Sequence, residues 1–134
     1  MEPALFDTTV WIDFIKGIDN RQTQLLGETI SQEPRFVLIT PTVLQEILQG
    51  LRTESDFNRT KTILESFQML SPGWADISVD AARLYFTLRK KGVTIRKSTD
   101  CLIAQIALYF DILLVHNDVD FDHIAQHTPL RTFR

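Results

Sequence analysis

The sequence predicts an α/β fold on a mostly parallel sheet, and three observations lead there. Short apolar runs alternate with longer segments whose apolar residues recur at helical spacing, the pattern of strand–helix–strand units. Four acidic residues, Asp7, Glu46, Asp100 and Asp118, each fall past an apolar run or open an apolar helix. No Pro/Gly/Ser-rich linker, repeat or low-complexity stretch interrupts the 134 residues, which suit a single domain over 1–134 with a sizeable core.

The elements follow in order. The first strand spans about Ala4 to Asp7, and a short helix runs from Thr9 to about Lys16, ended by Gly17. Asp19 reads as the cap of a second helix that reaches about Ser31. Phe36 to Ile39 is the second strand. Thr40-Pro41 then suits a helix start, with a hydroxyl cap and a proline at the first helical position. Val43, Leu44, Ile47 and Leu48 hold helical spacing up to Gly50. Glu54 to Ser66 forms another helix, Phe67 to Leu70 a third strand, and Pro72-Gly73 a turn. A helix from about Ser78 to Lys91 stops at Gly92, a residue suited to a helix C-terminus. Ser98 or Thr99 caps the next helix, Asp100 to Tyr109, which is apolar on most sides and so belongs at the centre. Ile112 to Val115 is the fourth strand, and Leu130 to Phe133 a short edge strand.

Composition narrows the class. A hydrophobic content of 44% with 23% charged residues fits a soluble globular protein. The single cysteine, Cys101, removes any intramolecular disulfide, and its apolar helix marks it as a small core residue. No targeting segment precedes the first strand. The longest apolar stretch, Cys101 to Val115, is broken by Gln105 and Asp111, too short and too polar to span a bilayer, so the cytoplasm is the expected location. The net charge of -3 argues weakly against nucleic-acid binding by the surface as a whole. Yet Arg89, Lys90, Lys91, Arg96 and Lys97 cluster directly before Asp100. They read either as cations at a helix C-terminus or as a phosphate-contacting rim.

Parallel sheets gather the carboxyl ends of their strands on one edge, where ligands bind. Four carboxylates collected there repel one another unless a cation sits between them. The pattern therefore points to a hard divalent metal and metal-assisted phosphate chemistry. Asp7 stands where it would cap a helix, but Thr8 and Thr9 offer other caps, which leaves Asp7 free. Glu46 lies about one and a half turns into its helix beside an apolar face, with no obvious basic partner. Asp100 alone would be explained by the helix dipole. Asn117 and Asp118, Asp120 and Asp122 also suit turn chemistry, and only the combination favours a metal. His116, His123 and His127 with one cysteine match no zinc motif, although His116 next to Asp118 is placed to position substrate or accept a proton. No Gly-rich phosphate loop and no Gly-x-Ser-x-Gly elbow occurs.

Four blocks carry a resemblance. They are Leu5-Phe6-Asp7-Thr8-Thr9-Val10-Trp11-Ile12-Asp13, Val43-Leu44-Gln45-Glu46-Ile47-Leu48-Gln49-Gly50, Ser98-Thr99-Asp100-Cys101-Leu102-Ile103-Ala104, and Leu114-Val115-His116-Asn117-Asp118-Val119-Asp120-Phe121-Asp122. In that order and spacing the chain resembles, over essentially its whole length, the PIN-domain ribonucleases, specifically the VapC toxins of VapBC toxin–antitoxin pairs. The resemblance implies a three-layer α/β/α sandwich and Mg²⁺- or Mn²⁺-dependent cleavage of RNA. It implies a metal site of Asp7, Glu46, Asp100 and Asp118, with Asp120 as a further acid and Thr9 as a hydroxyl beside the metal. Asp122 stays outside the core site. It also implies a VapB-type antitoxin partner and a homodimer, with Trp11, Phe14, Ile15 and the helix from Glu54 to Ser66 as contact surfaces, unless Trp11 and Phe14 are core. Three other readings use similar chemistry. A receiver-like signalling domain would need a lysine where His116-Asn117 stands, a non-catalytic binding module would not need all four acids, and a flap-type DNA nuclease needs helical segments this chain has no room for.

Overall fold

Five short strands form one sheet in a computed structural model that describes Met1–Arg134. They are β1 (Ala4–Phe6), β2 (Val37–Ile39), β3 (Gln68–Met69), β4 (Leu113–Val115) and β5 (Thr132–Phe133). Their order is β3-β2-β1-β4-β5, and every pairing is parallel, so the sheet is wholly rather than mostly parallel. β1 and β2 are buried at every residue, as uninterrupted apolar runs require when both sheet faces are covered.

Seven helices provide that cover: α1 (Thr8–Ile15), α2 (Arg21–Gln32), α3 (Pro41–Gln49), α4 (Glu54–Glu65), α5 (Trp74–Lys90), α6 (Ser98–Phe110) and α7 (Val119–His127). From β1 the chain steps outward to β2 and β3, then returns across β1 to β4 and steps outward to β5. Right-handed crossovers therefore place α1–α4 on one face and α5–α7 on the other. The packing agrees: α1 contacts α2 and α3, α3 contacts α4, and α6 contacts both α5 and α7. The result is the three-layer α/β/α sandwich. The direction of winding reverses between β1 and β4, which makes a crevice at their carboxyl ends. The Asp7 amide closes that end by donating to the Val115 carbonyl at 2.9 Å.

Several boundaries differ from those expected, each for a local reason. Asn20, not Asp19, caps α2, because Asn20 and Thr23 exchange side-chain and backbone hydrogen bonds in a capping box. Asp19 instead accepts from the Gln24 side chain at 2.9 Å. α5 begins at Trp74, a turn before Ser78. Neither Ser98 nor Thr99 caps α6, because the helix already includes Ser98 and its cap residue is Lys97, which makes no side-chain cap bond. A short 3-10 turn, Pro34–Phe36, leads into β2. The helix α7 was hidden in the sequence by turn-like Asn and Asp residues. Phe121, Ile124 and Ala125 at helical spacing are the signal that reveals it.

The core surrounds α6, where Cys101, Ile103, Ala104, Ile106 and Ala107 are all buried. Burial, then the negative Asp100 and Asp120, push the Cys101 thiol up to about 11, so it is an inert core residue. Trp11 also belongs to the core: its ring lies 5.6 Å from that of Phe67, and it presents no contact surface. Phe14 and Ile15 remain exposed. No helix is long and apolar enough to cross a membrane.

Candidate metal centre

The end of β1, helix α3, the first turn of α6, and the end of β4 with the first turn of α7 bring acids from four parts of the chain to one edge. Asp7 is the N-cap of α1, contrary to the expectation that Thr8 or Thr9 would free it from that task. Its Oδ2 accepts from the Thr9 amide at 3.1 Å and the Thr9 hydroxyl at 2.7 Å. Thr8 and Thr9 lie inside the helix, so neither occupies the cap position. The Thr9 hydroxyl also accepts from the Asn117 amide at 3.2 Å, which ties α1 to the turn after β4. Thr8 donates to Glu46 Oε1 at 3.0 Å and ties α1 to α3. Glu46, half-buried, thus has a hydroxyl partner and no basic one.

Asp100, Asp118 and Asp120 form the closest group, with one carboxylate oxygen from each within 4.8 Å of the others. Asp7 and Glu46 lie outside that group. They act on it in sequence: Asp7 is the foremost charge raising the Asp100 carboxyl, and Glu46 adds to the charges acting on Asp7. Burial is the largest cause in both cases. It holds Asp7 above its ordinary range against the opposing Thr9 hydrogen bonds, and it pushes Asp100 up to about 7. Asp100 is 5% exposed, and its Oδ2 is buried with no hydrogen-bond partner. A carboxylate buried in this way, among others and without a donor, is the environment a hard cation relieves. The donors are all oxygens, which suits Mg²⁺ or Mn²⁺ and not a thiolate metal.

Two residues of the site carry more than the sequence indicated. Arg96, expected as one of a run of cations at a helix end or a phosphate-contacting rim, donates from Nη2 to Asp118 Oδ1 at 2.9 Å and from Nε to Asp120 Oδ2 at 3.0 Å. Its amide also reaches Asp120 Oδ2, at 3.2 Å. His116 is fully buried, and its Nδ1 accepts from the Asp118 amide at 3.1 Å. Burial lowers the His116 pKa, so the ring is neutral and the proton sits on Nε2. That nitrogen lies 3.5 Å from Asp122 Oδ1 without hydrogen-bond geometry, and Asp122 is also paired with Arg134. Asp122 thus pairs with Arg134 and lies outside the three-acid group.

A family model described as the PIN domain matches residues 4–126. The chain belongs to the PIN domain family. Relatives of this PIN domain include Ribonuclease VapC11 of Mycobacterium tuberculosis and a VapC ribonuclease of Mycobacterium bovis. Each is 28% identical over 130 residues, covering 95% of both chains. Among solved structures, VapBC-1 from nontypeable Haemophilus influenzae matches with a TM-score of 0.73 and 22% identity, covering 97% of this chain and 96% of that one. VapBC2 from Rickettsia felis, bound to a promoter DNA fragment, matches with a TM-score of 0.71 at the same identity and coverage. At that identity the structural likeness speaks for the PIN fold, while the acids described above are this chain's own.

Proposed function

We propose that this PIN domain is a divalent-metal-dependent endoribonuclease and the toxin of a VapBC-type pair, acting in the cytoplasm. The carrying observation is the group Asp100, Asp118 and Asp120, with a buried, partnerless oxygen on Asp100. The ribonuclease names of relatives that align along nearly the whole chain support the choice of reaction. Asp7, Glu46, Asp100 and Asp118 would hold Mg²⁺ or Mn²⁺, with Asp120 as a further acid. When bound, such an ion supplies Lewis-acid activation of water and neutralises charge at the scissile phosphate. The chain's own part is positioning. Thr9 fixes Asp7, Thr8 fixes Glu46, and the α7 N-terminus fixes Asp118, whose Oδ1 accepts from the Asp120 amide at 2.9 Å. Burial of Asp7, Asp100 and Asp120 keeps bulk water from screening their charges.

RNA as substrate is supported by charge placement. Between Ala81 and Thr99 the chain carries no acid, while Arg83, Arg89, Lys90, Lys91, Arg96 and Lys97 are all exposed. Arg89 lies over Tyr85 at 5.5 Å and Lys90 over Phe86 at 4.5 Å, so aromatic rings hold these cations in place along α5. Such a basic strip suits the tracking of a single-stranded backbone. The double change Lys90→Glu, Lys91→Glu should raise the KM for RNA about tenfold and flatten its salt dependence, because fewer counterions are released. Turnover at saturating RNA should stay near the unaltered value; a fall in kcat with KM constant would place these residues outside RNA binding.

Exposed apolar side chains support a protein partner. Ile12, Phe14 and Ile15 of α1, Ile18 just after it, and Phe57 and Ile63 of α4 are exposed, and a VapB-type antitoxin or a second copy in a homodimer would cover such surface. The deciding experiment is cleavage of a mixed RNA pool by purified protein with Mg²⁺, with Mn²⁺ and with EDTA, beside Asp7→Asn. Cutting that requires metal and disappears in the variant is the expected result. Equal cutting by the variant, or cutting that persists in EDTA, would overturn the assignment.

A further inference from the structure

Arg96 stands in an unusual place for a solvated cation. Its side chain is 68% exposed, yet it ends on Asp118, the N-cap of α7, and Asp120 in its first turn, both members of the three-acid group. The contacts are specific. Asp118 Oδ1 receives both the Asp120 amide and Arg96 Nη2, at 2.9 Å each. Asp120 Oδ2 receives the Arg96 amide and Arg96 Nε. The guanidinium therefore spans two carboxylates with a fixed fork, a geometry lysine does not reproduce. The loop that carries it, between α5 and α6, is anchored to Asp120 through the backbone as well, so the arginine is delivered to the acids by main-chain structure.

We propose that Arg96 is a built-in competitor of the divalent cation, which pairs with Asp118 and Asp120 and sets how tightly the site binds metal. The proposal rests on the metal-site reading given above. A positive guanidinium and a divalent ion on the same carboxylates repel each other. Binding of the ion therefore includes the cost of weakening or releasing the Arg96 pairs. Anchoring through the Arg96 amide keeps the loop in place when the side chain lets go. The freed guanidinium then remains at the rim of the site, next to Lys97, where an RNA phosphate approaches. The chain thus couples metal loading to the exposure of a phosphate-binding cation.

The test is Mn²⁺ binding to metal-stripped protein, followed by the electron paramagnetic resonance of free Mn²⁺, for the unaltered chain, Arg96→Gln, Arg96→Lys and Asp100→Asn. Removing one positive charge a few ångströms from a divalent ion should tighten Mn²⁺ binding in Arg96→Gln about tenfold. The difference should shrink at high salt, since the Arg96 guanidinium is solvent-exposed although its two acids are not. Arg96→Lys keeps the charge but loses the fork, so its Mn²⁺ affinity should fall between those of the unaltered protein and Arg96→Gln. Both variants retain the backbone bond to Asp120 and an exposed side chain, so circular dichroism should show an unchanged fold. Equal or weaker binding by Arg96→Gln, with binding still abolished in Asp100→Asn, would overturn the competitor role and leave the metal site standing. No Mn²⁺ binding by any of the proteins would overturn the metal site, and the competitor role with it.

Discussion

Asp100→Asn should abolish RNA cleavage and, in the absence of metal, make the protein more stable. Loss of about 4 kcal/mol of transition-state stabilisation, the scale of one well-placed electrostatic group, corresponds to about a thousandfold in rate. The gain in stability has a separate cause. Asp100 ordinarily titrates at 3.8 and is pushed up to about 7 by burial and by the charges of Asp7 and Asp118. Between those two pH values the folded chain keeps a proton that the unfolded chain has released. Stability therefore falls as pH rises through that window, and the penalty is complete above about pH 7. Asp7, also raised, contributes with the same sign. With part of the effect lost to the amide that asparagine still buries, neutralising Asp100 should return about 2 kcal/mol at pH 8, or about 7 °C in Tm. Melting curves of metal-stripped protein from pH 4 to 8 would check this. The unaltered chain should lose stability across the range and the variant should lose less. A variant that melts lower at pH 8 would mean that the Asp100 charge is satisfied within the fold, against the orphaned oxygen seen there.

Much of this was legible in the chain, because apolar runs and acids answer to simple rules. Strands β1, β2 and β4 are uniform apolar stretches, and their length alone separates them from helices. The acids stood out because each closes such a run, and parallel topology brings the ends of runs together. What the sequence hid was pairing across distance. Nothing local says that Arg96 will meet Asp118 and Asp120, more than twenty positions later, and not simply face water. The helix α7 was masked for a related reason: Asp118, Asp120 and Asp122 favour turns and helix N-termini alike, and only the packing of Phe121 and Ile124 selects the helix. The capping role of Asp7 is not legible in the sequence, because Thr8 and Thr9 suit a cap equally well. The choice depends on where the helix begins, which is set by the Asp7 amide bonding to β4. The second carboxylate oxygen of Asp7 carries no cap bond, so capping and cation binding are compatible on this side chain.

His116→Ala should be among the most damaging single changes in the molecule, and His116→Asn should undo part of the harm. The ring is fully buried, 5.1 Å from that of Phe121, and its Nδ1 is the acceptor for the Asp118 amide. The backbone of the same residue is tied down as well: its amide donates to the Phe133 carbonyl at 3.1 Å, and its carbonyl accepts from Gln22 Nε2 at 3.1 Å. Alanine at this position removes ring packing and leaves the Asp118 amide without its acceptor. Together these should cost about 3 kcal/mol, a large share of the stability of an ordinary domain. The same loss loosens the turn that orients Asp118, so Mn²⁺ affinity should fall further than unfolding alone explains. Asparagine places an amide oxygen close to where Nδ1 stands, which restores the acceptor but not the packing. If His116 acts by positioning Asp118, the asparagine protein should recover metal binding and cleavage at a temperature where both variants are folded, while its melting point stays low. Equal impairment of the two variants would mean that the ring matters only as core. Full activity of the alanine protein would mean that Asp118 holds its orientation from the α7 N-terminus alone.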